Sequence, residues 1–243
     1  MVGGAVTPPD YEGAEQLGPA ARPDLFSTLV GVAFLQDPSS TAAHDGGMDH
    51  TDHMQQSIDL AVSVIRGTPV DRYDDPSPCA DFTVRQTVNH IAFGFVLAQR
   101  SATREPWDET WQLEDGAPFL IGVPESEWAE KCAEEGAATA RAWAEPGVWD
   151  GDSHMGGSPM PAAAIGSMMT SEFAVHAWDV AAATGRRLDV PEELGRVVLD
   201  GVLAIAPMGR DGGWFGAEVP VADDAPAFTK ALGAAGRDPN WTP

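Results

Sequence analysis

Hydrophobic residues recur at helical spacing along most of the chain after residue 54, and this pattern predicts a series of amphipathic helices. The first, "MQQSIDLAVSVIRG", places Ile58, Val62 and Ile65 on one face and is predicted to end at Gly67. The second, at about 84–102, begins with a threonine and a glutamine in capping-box spacing. Both segments are long enough to serve as helices of a bundle.

Two further segments complete a predicted set of four long helices. The third, within "ESEWAEKCAEEGAATARAWAE", is predicted to bury Trp128, Cys132, Thr139 and Trp143. The fourth, "PAAAIGSMMTSEFAVHAWDVAAAT", has Pro161 near its first turn, a position that proline tolerates well. Four such helices favour a helical bundle.

The remaining segments predict connections and short additional helices. Residues 104–124 read as a long surface connection, and "DGDSHMGGSP" reads as a glycine-rich loop. After the fourth helix, "PEELGRVVLDGVLAIA" predicts a fifth helix that ends at Pro207, "WFGAEVPVADDAP" reads as extended and turn-like, and "AFTKALGAAG" predicts a short last helix. Because strands and helices do not alternate, the predicted fold is all-α, a four-helix bundle with long connections and short C-terminal helices.

Residues 1–50 differ from the rest, because they are rich in proline and glycine and have no sustained periodicity. They are predicted to form a poorly ordered extension, with a short helix near 23–35, ahead of a helical domain at 51–243. A translation start at Met48 or Met54 is an alternative. His44, His50 and His53 match the spacing of no compact metal site and are expected in a flexible polar tail.

The amino-acid composition limits which partners the protein can bind and which cell compartment it is expected to occupy. The formal net charge is −23, which argues against nucleic acid and anionic membranes as partners, since both attract lysine and arginine. Cys79 and Cys132 have no CxxC spacing, as expected in a reducing cytoplasm. The N-terminus lacks the basic residues of a signal peptide, and the apolar run at 25–35 is too short to cross a bilayer. We therefore expect a cytoplasmic monomer or homodimer.

The fourth helix has charged residues where its apolar stripe should continue. Glu172, His176 and Asp179 follow Met168 and Met169 on one helical face. A buried, unpaired carboxylate costs several kcal/mol or shifts its pKa strongly, so Glu172 needs compensation. The face could border a solvated groove, or Glu172 could pair with a neighbouring helix. Alternatively, Glu172 and His176, one turn apart, could bind one metal ion.

A metal at this place requires a third protein ligand from another helix, and His90 is the best candidate. It lies in "TVNHIAFG", among apolar residues of the second helix, and Gly94 one turn later is expected to leave space beside it. A single histidine in such a place is more often an ordinary core residue, so the prediction depends on the combination. Two histidines and one glutamate form a known catalytic zinc set with an open fourth position.

Three segments carry a resemblance to a known family: "PCADFTVRQTVNHIAFG", "SEFAVHAWDVAAATG" and "WFGAEVPVADDAPAFTKALGAAGRDPNW". They resemble the mycothiol-dependent maleylpyruvate isomerase N-terminal-domain family, in the DinB-like superfamily of metal-binding four-helix bundles. The resemblance covers about residues 54–241. The isomerase carries a further domain resembling sterol carrier proteins, and this chain is expected to belong to a short branch without it.

The resemblance implies a function. His90, Glu172 and His176 match the family's metal ligands, which implies zinc, or else nickel, iron or manganese. The implied activity is metal-dependent use of mycothiol, or a related small thiol, for S-transfer to a small electrophilic substrate or its isomerisation. Two alternatives stay open: a non-catalytic bundle that binds metal or a small ligand, and a metal-dependent hydrolase, although no HExxH motif supports the hydrolase.

Two further residues are candidates for catalytic roles. Asp179 could hold His176 or orient a metal-bound water, or it could pair with an arginine at the end of the bundle. Arg237, like Arg210, could meet an anionic substrate, with a surface ion pair as the alternative. Both cysteines are expected to be structural, since no basic neighbour in the sequence is arranged to activate them.

Overall fold

The computed structural model describes residues 49–79, 82–106, 120, 122–155 and 158–243. Six α-helices dominate it: α1 (His50–Arg66), α2 (Val84–Thr103), α3 (Trp128–Trp143), α4 (Ala162–Ala183), α5 (Glu192–Asp211) and α6 (Ala227–Ala234). Short 3-10 turns lie at Val70–Arg72 and Glu125–Glu127. The prediction of an all-α bundle is confirmed. The predicted extension, with its helix near 23–35 and His44, and most of the connection at 104–124 lie outside the described residues.

Helices α1 and α2 each pack against both α3 and α4, which makes a four-helix bundle. Helix α5 packs on the outer side of α4, and α6 packs on α5. Helix α4 is therefore buried on nearly every side and contributes to both apolar clusters of the protein. The four side chains predicted to be buried on α3 are all buried: Trp128, Cys132, Thr139 and Trp143. None of the helices in the described part of the chain is long and apolar enough to span a membrane.

The capping box predicted for α2 is present. The Thr83 side chain accepts a hydrogen bond from the backbone N–H of Gln86 at 3.3 Å, and the Gln86 side chain accepts one from the N–H of Thr83 at 2.9 Å. These bonds satisfy two of the free N–H groups at the helix start. They fix the helix that carries His90.

The start of α1 corrects the prediction for the histidines before residue 54. Asp49 caps the helix by accepting from the N–H of Asp52, so the helix begins at His50. His50 stacks on Trp149, with ring centroids 5.2 Å apart. His53 is 4% exposed and lies in the helix. These two residues therefore belong to the bundle and not to a flexible tail.

The glycine-rich loop before α4 contains a small β-hairpin that was not predicted. Strands β1 (Asp152–Met155) and β2 (Ser158–Pro161) pair antiparallel. Ser153 donates a hydrogen bond to the carbonyl of Ser101, and Ser101 donates to the carbonyl of His154 at 2.9 Å. The hairpin is held against the end of α2. Four residues are too few for alternation to reveal a strand among glycines and prolines.

The predicted end of α5 at Pro207 is wrong, because the helix continues to Asp211. A proline inside a helix removes one N–H donor and leaves the carbonyl four residues earlier without its usual partner. Both Pro207 and Leu203 lie on the exposed side of α5, and Leu203 is 53% exposed. Water can satisfy the released carbonyl there, which explains why the helix tolerates the proline.

Candidate metal centre

The three predicted metal ligands converge at one point between α2 and α4. Glu172 Oε1 lies 2.6 Å from His90 Nε2 and 3.1 Å from His176 Nε2. One donor atom from each residue lies within 4.8 Å of the other two. Two imidazole nitrogens and a carboxylate oxygen form a donor set suited to a divalent transition metal such as zinc. The residues therefore fit such an ion.

Local packing positions the two histidine rings. The ring of Phe82, two residues before α2, lies 5.4 Å from the ring of His90, and the His90 and His176 rings meet edge to face at 4.8 Å. Gly94 lines the cavity beside His90, where open space was expected. A Cβ added there would lie 3.1 Å from Phe173, so the glycine allows α2 to approach α4 closely. This close approach brings the donors on the two helices together.

The carboxylate of Glu172 is stabilised as an anion. Burial alone would raise its pKa, but the charge of His176 and hydrogen bonds with both imidazoles outweigh burial and hold the pKa of Glu172 well below its usual value. The Glu172 side chain remains 29% exposed, whereas those of His90 and His176 are 12% and 7% exposed. The carboxylate therefore faces the cavity and not the apolar core.

A second set of contacts supports His176 from its other ring nitrogen. His176 Nδ1 lies 2.9 Å from Asp179 Oδ2, although the ring N–H is not aligned for a good hydrogen bond. Asp179 is fully buried and is paired with Arg237, whose Nη2 lies 3.1 Å from Asp179 Oδ2. Arg237 itself is only 6% exposed, so the alternative of a surface ion pair for this arginine is wrong. Arg237, Asp179 and His176 form a continuous chain of charged groups.

The charges in this chain shift the pKa values of its members. Burial opposes a charge on His176, but Glu172 and Asp179 outweigh it and raise the pKa of His176 to about 9. Burial would likewise raise the pKa of Asp179, and the guanidinium of Arg237 is the main influence that instead lowers it. Asp179 is therefore an anion that orients and stabilises His176, which is the role of an outer partner to a metal-binding histidine.

The donors lie at the wall of a cavity of about 130 Å³. Most of the lining is apolar, contributed by the connection before α2, by α2, β1, α4 and α5, and by the segment after α5: Phe82, Phe93, Met155, Met168, Met169, Val175, Val202, Ile205, Trp214 and Phe215. The polar part of the lining comprises His90, Glu172, His176, Ser171, Cys79 and Arg237. The cavity can take a small, largely apolar molecule whose reactive group meets the donors.

The segment after α5 closes one side of the cavity. The Arg210 side chain donates to the carbonyl of Ala234 at 2.9 Å, and the backbone N–H of Val219 donates to the carbonyl of Gly233 at 2.9 Å. The first bond joins the end of α5 to the end of α6, shortly before Arg237, and the second joins the segment after α5 to α6. Arg210 therefore holds the C-terminal segment in place, and it is Arg237 that lines the cavity.

Sequence reasoning missed Cys79 as part of this cavity. Cys79 is half buried, lines the cavity and has its Sγ within 4.8 Å of donor atoms of His176 and Asp179. Cys132 is fully buried in α3, as expected of a structural cysteine. The available signal was that Cys79 lies in the same short connection as Phe82, just before the helix that carries His90.

The fold and the site define a class: candidate metal-binding proteins built as a small helical bundle, with two histidines and a glutamate in an apolar cavity. Comparison with known sequences identifies the family. Residues 55–181 match the family described as mycothiol maleylpyruvate isomerase N-terminal domain. The match spans more than half of the 243 residues, and the chain belongs to this family.

Similar proteins and structures agree with this assignment. Uncharacterised proteins from two strains of Mycobacterium tuberculosis are each 24% identical over 142 residues, which cover 58% of this chain and 70% of theirs. The crystal structure of the mycothiol-dependent maleylpyruvate isomerase superposes with a TM-score of 0.51 at 16% identity, over 65% of this chain and 68% of that one. At this identity the superposition supports a shared fold.

Proposed function

We propose that the protein is a metal-dependent, cytoplasmic enzyme that uses a small thiol such as mycothiol for S-transfer to, or isomerisation of, a small electrophilic substrate. The observation that supports this most strongly is the convergence of His90, Glu172 and His176 on one point of an apolar cavity. Membership of a family described by mycothiol-dependent chemistry supports the choice of thiol.

In this proposal, His90, Glu172 and His176 hold the metal, with zinc as the first candidate. When bound, such an ion supplies a Lewis acid that favours the thiolate over the thiol of a small co-substrate, and the thiolate is the nucleophilic form. Three protein ligands leave an open coordination position for that purpose. Glu172 contributes the negative charge of the site and faces the cavity.

Asp179 and Arg237 have positioning roles in the same proposal. The charge of Asp179 lies 2.9 Å from Nδ1 of His176 and orients the ring electrostatically, with Nε2 directed at Glu172. Arg237 keeps Asp179 charged in a fully buried position. Because the Arg237 side chain also lines the cavity, its guanidinium is available to an anionic part of the substrate.

The apolar walls favour a substrate with a hydrophobic body. Methionine and aromatic side chains provide most of the contact surface, and they exclude water from the reacting groups. Exclusion of water favours attack by a bound thiolate over attack by hydroxide, and this consideration ranks S-transfer above hydrolysis.

The decisive experiment measures metal content and thiol-dependent turnover together. Protein loaded with zinc and freed of excess metal is expected to retain the ion, whereas Glu172→Gln and His90→Ala lose it. His154→Ala removes an exposed histidine on β1 and serves as the matched control that retains it. Equal, low zinc in the wild type and Glu172→Gln would refute the metal site.

Turnover separates the enzyme from a binding protein. The metal-loaded wild type is expected to consume a generic electrophile, such as a chloronitrobenzene, only when mycothiol is present. Retention of zinc without turnover across a panel of thiols and electrophiles would favour a non-catalytic module that binds metal or a small ligand.

A further inference from the structure

Cys79 occupies a position in the cavity that the proposed reaction does not use. Its Sγ lies within 4.8 Å of donor atoms of His176 and Asp179, and Cys79 is only partly buried. His176 and Asp179 are, by contrast, almost completely buried. A small molecule that reaches His176 therefore also meets the Cys79 thiol.

Hydrogen bonds hold the carbonyl group of Cys79. It accepts from the N–H of Phe82 at 2.8 Å. The hydroxyl of the buried Ser77 lies 3.2 Å from this carbonyl and 2.8 Å from the carbonyl of Phe82, and its one proton is shared between them. The Cys79 side chain lies at the cavity wall.

Polar groups lie beside Cys79 at this side of the cavity. The buried Nδ1 of His176 makes no well-aligned hydrogen bond among the described residues, so a polar group remains to be satisfied there. The Arg237 side chain lines the same cavity.

Cys132 provides an internal comparison, because the chain contains only these two cysteines. It is fully buried in α3, and burial raises the pKa of its thiol to about 12. Thiol–disulfide exchange requires both access and a thiolate. In the folded protein Cys132 meets neither condition, whereas Cys79 is accessible at the cavity wall.

We propose that Cys79 is a site of reversible covalent modification, at which the symmetric disulfide of the small thiol forms a mixed disulfide with the protein. The proposal rests on the proposed function, because that function places the thiol in this cavity. The Cys79 thiolate attacks one sulfur of the disulfide RSSR, and a bond forms between Sγ and that sulfur. The original S–S bond breaks, and the second half leaves as RS⁻, which takes up the proton that Cys79 lost.

The mixed disulfide places an R–S group next to His176, in the volume that thiol and substrate would otherwise occupy. Cys79 is oxidised and half of RSSR is reduced, so no further oxidant is needed. A second molecule of thiol reverses the step and reopens the cavity. The ratio of disulfide to thiol in the cell thereby controls the fraction of protein that is available for the reaction.

The test uses the full-length, zinc-loaded protein and the symmetric disulfide of mycothiol. Intact-mass spectrometry is expected to find one adduct, which peptide mapping places on Cys79 and dithiothreitol removes. Cys132→Ser should form the same adduct, and Cys79→Ser should form none. S-methylmycothiol, which cannot exchange, should slow the modification several-fold by occupying the cavity. Absence of the adduct, equal labelling of both cysteines or absence of protection by S-methylmycothiol would each overturn the proposal.

Zinc retention and thiol-dependent turnover, measured on the same preparations, separate this proposal from the proposed function. Turnover with mycothiol together with an unmodified Cys79 would overturn the modification alone. A protected, reversible adduct on Cys79 without any thiol-dependent turnover would support the modification and refute the enzyme. Peptide mapping of the wild type gives the answer even if a cysteine variant does not fold.

Discussion

Replacing Arg237 by methionine tests how strongly the buried charges of the site depend on one another. Methionine keeps much of the side-chain length but leaves Asp179, at 0% exposure, without its guanidinium partner. Removing one member of a buried ion pair typically costs about 3–5 kcal/mol. His176 remains 2.9 Å from Asp179 and compensates part of the charge, so we expect a loss of about 3 kcal/mol.

The assay is chemical denaturation of the metal-free protein, because bound metal would add its own stabilisation to the measurement. A loss of about 3 kcal/mol corresponds to a melting temperature roughly 6–12 °C lower in a chain of this size. Arg187→Met is the matched control. Its pair with Asp189 is as short, at 2.7 Å, but the side chains are 85% and 77% exposed, so removal should cost less than about 1 kcal/mol.

A double-mutant cycle completes this test. Adding Asp179→Asn to Arg237→Met removes the unpaired charge, so the double variant should be more stable than the sum of the two single losses predicts. An Arg237→Met variant as stable as Arg187→Met, or strictly additive effects, would show that the buried pair does not support Asp179 as described.

Three further predictions concern the helices and the donors. Thr83→Ala should cost about 0.5–2 kcal/mol in denaturation experiments, because α2 loses its side-chain cap. Gly201→Ala should lower the free energy of unfolding by about 1–3 kcal/mol, because the new Cβ would lie 2.2 Å from the Ser171 hydroxyl on α4 and force α5 outward. The control Asp200→Ala changes the exposed neighbour and should have little effect on stability. Zinc binding at pH 7 should release protons, because His176 has a pKa of about 9 in the metal-free protein and must be neutral to bind metal. Calorimetry in buffers of different ionisation enthalpy measures the number of protons released.

Each of these predictions has an outcome that contradicts it. Unchanged stability of Thr83→Ala would show that the cap does not hold α2, and unchanged stability of Gly201→Ala would show that α4 and α5 are not closely packed. For zinc, the apparent affinity should fall as the pH decreases below about 9, because protons then compete for His176. A binding enthalpy that is independent of the buffer would contradict the raised pKa.

The sequence predicted the helices and the pairing of Glu172 with His176 because both follow from local spacing. Glu172 and His176 are one turn apart on any helix, and an acidic residue on an apolar stripe requires a partner. His90 was the best candidate for the third metal ligand because its neighbours in the sequence are apolar. The bounds of α2 differ by at most one residue from those expected, since its capping box is readable in sequence.

The remaining features depend on contacts between distant segments and could not be read from spacing. Arg237 reaches Asp179 across 58 residues, and only the path of the C-terminal segment brings the two together. Cys79 lies at the cavity beside His176, which is 97 positions later in the chain. Helix α5 continues past Pro207 because that side of the helix faces water. The sequence alone does not reveal which side of α5 is exposed.

The donors and the cavity walls come from different kinds of segment. His90, Glu172 and His176 project from two helices at the centre of the bundle, whereas Phe82, Trp214 and Phe215 belong to connecting segments. Substitutions in connections are tolerated more readily than substitutions in a packed core. The shape of the cavity can therefore diverge between relatives while the donor set stays in place. A directed-evolution library for new substrates should accordingly vary the three wall residues and leave α2 and α4 unchanged.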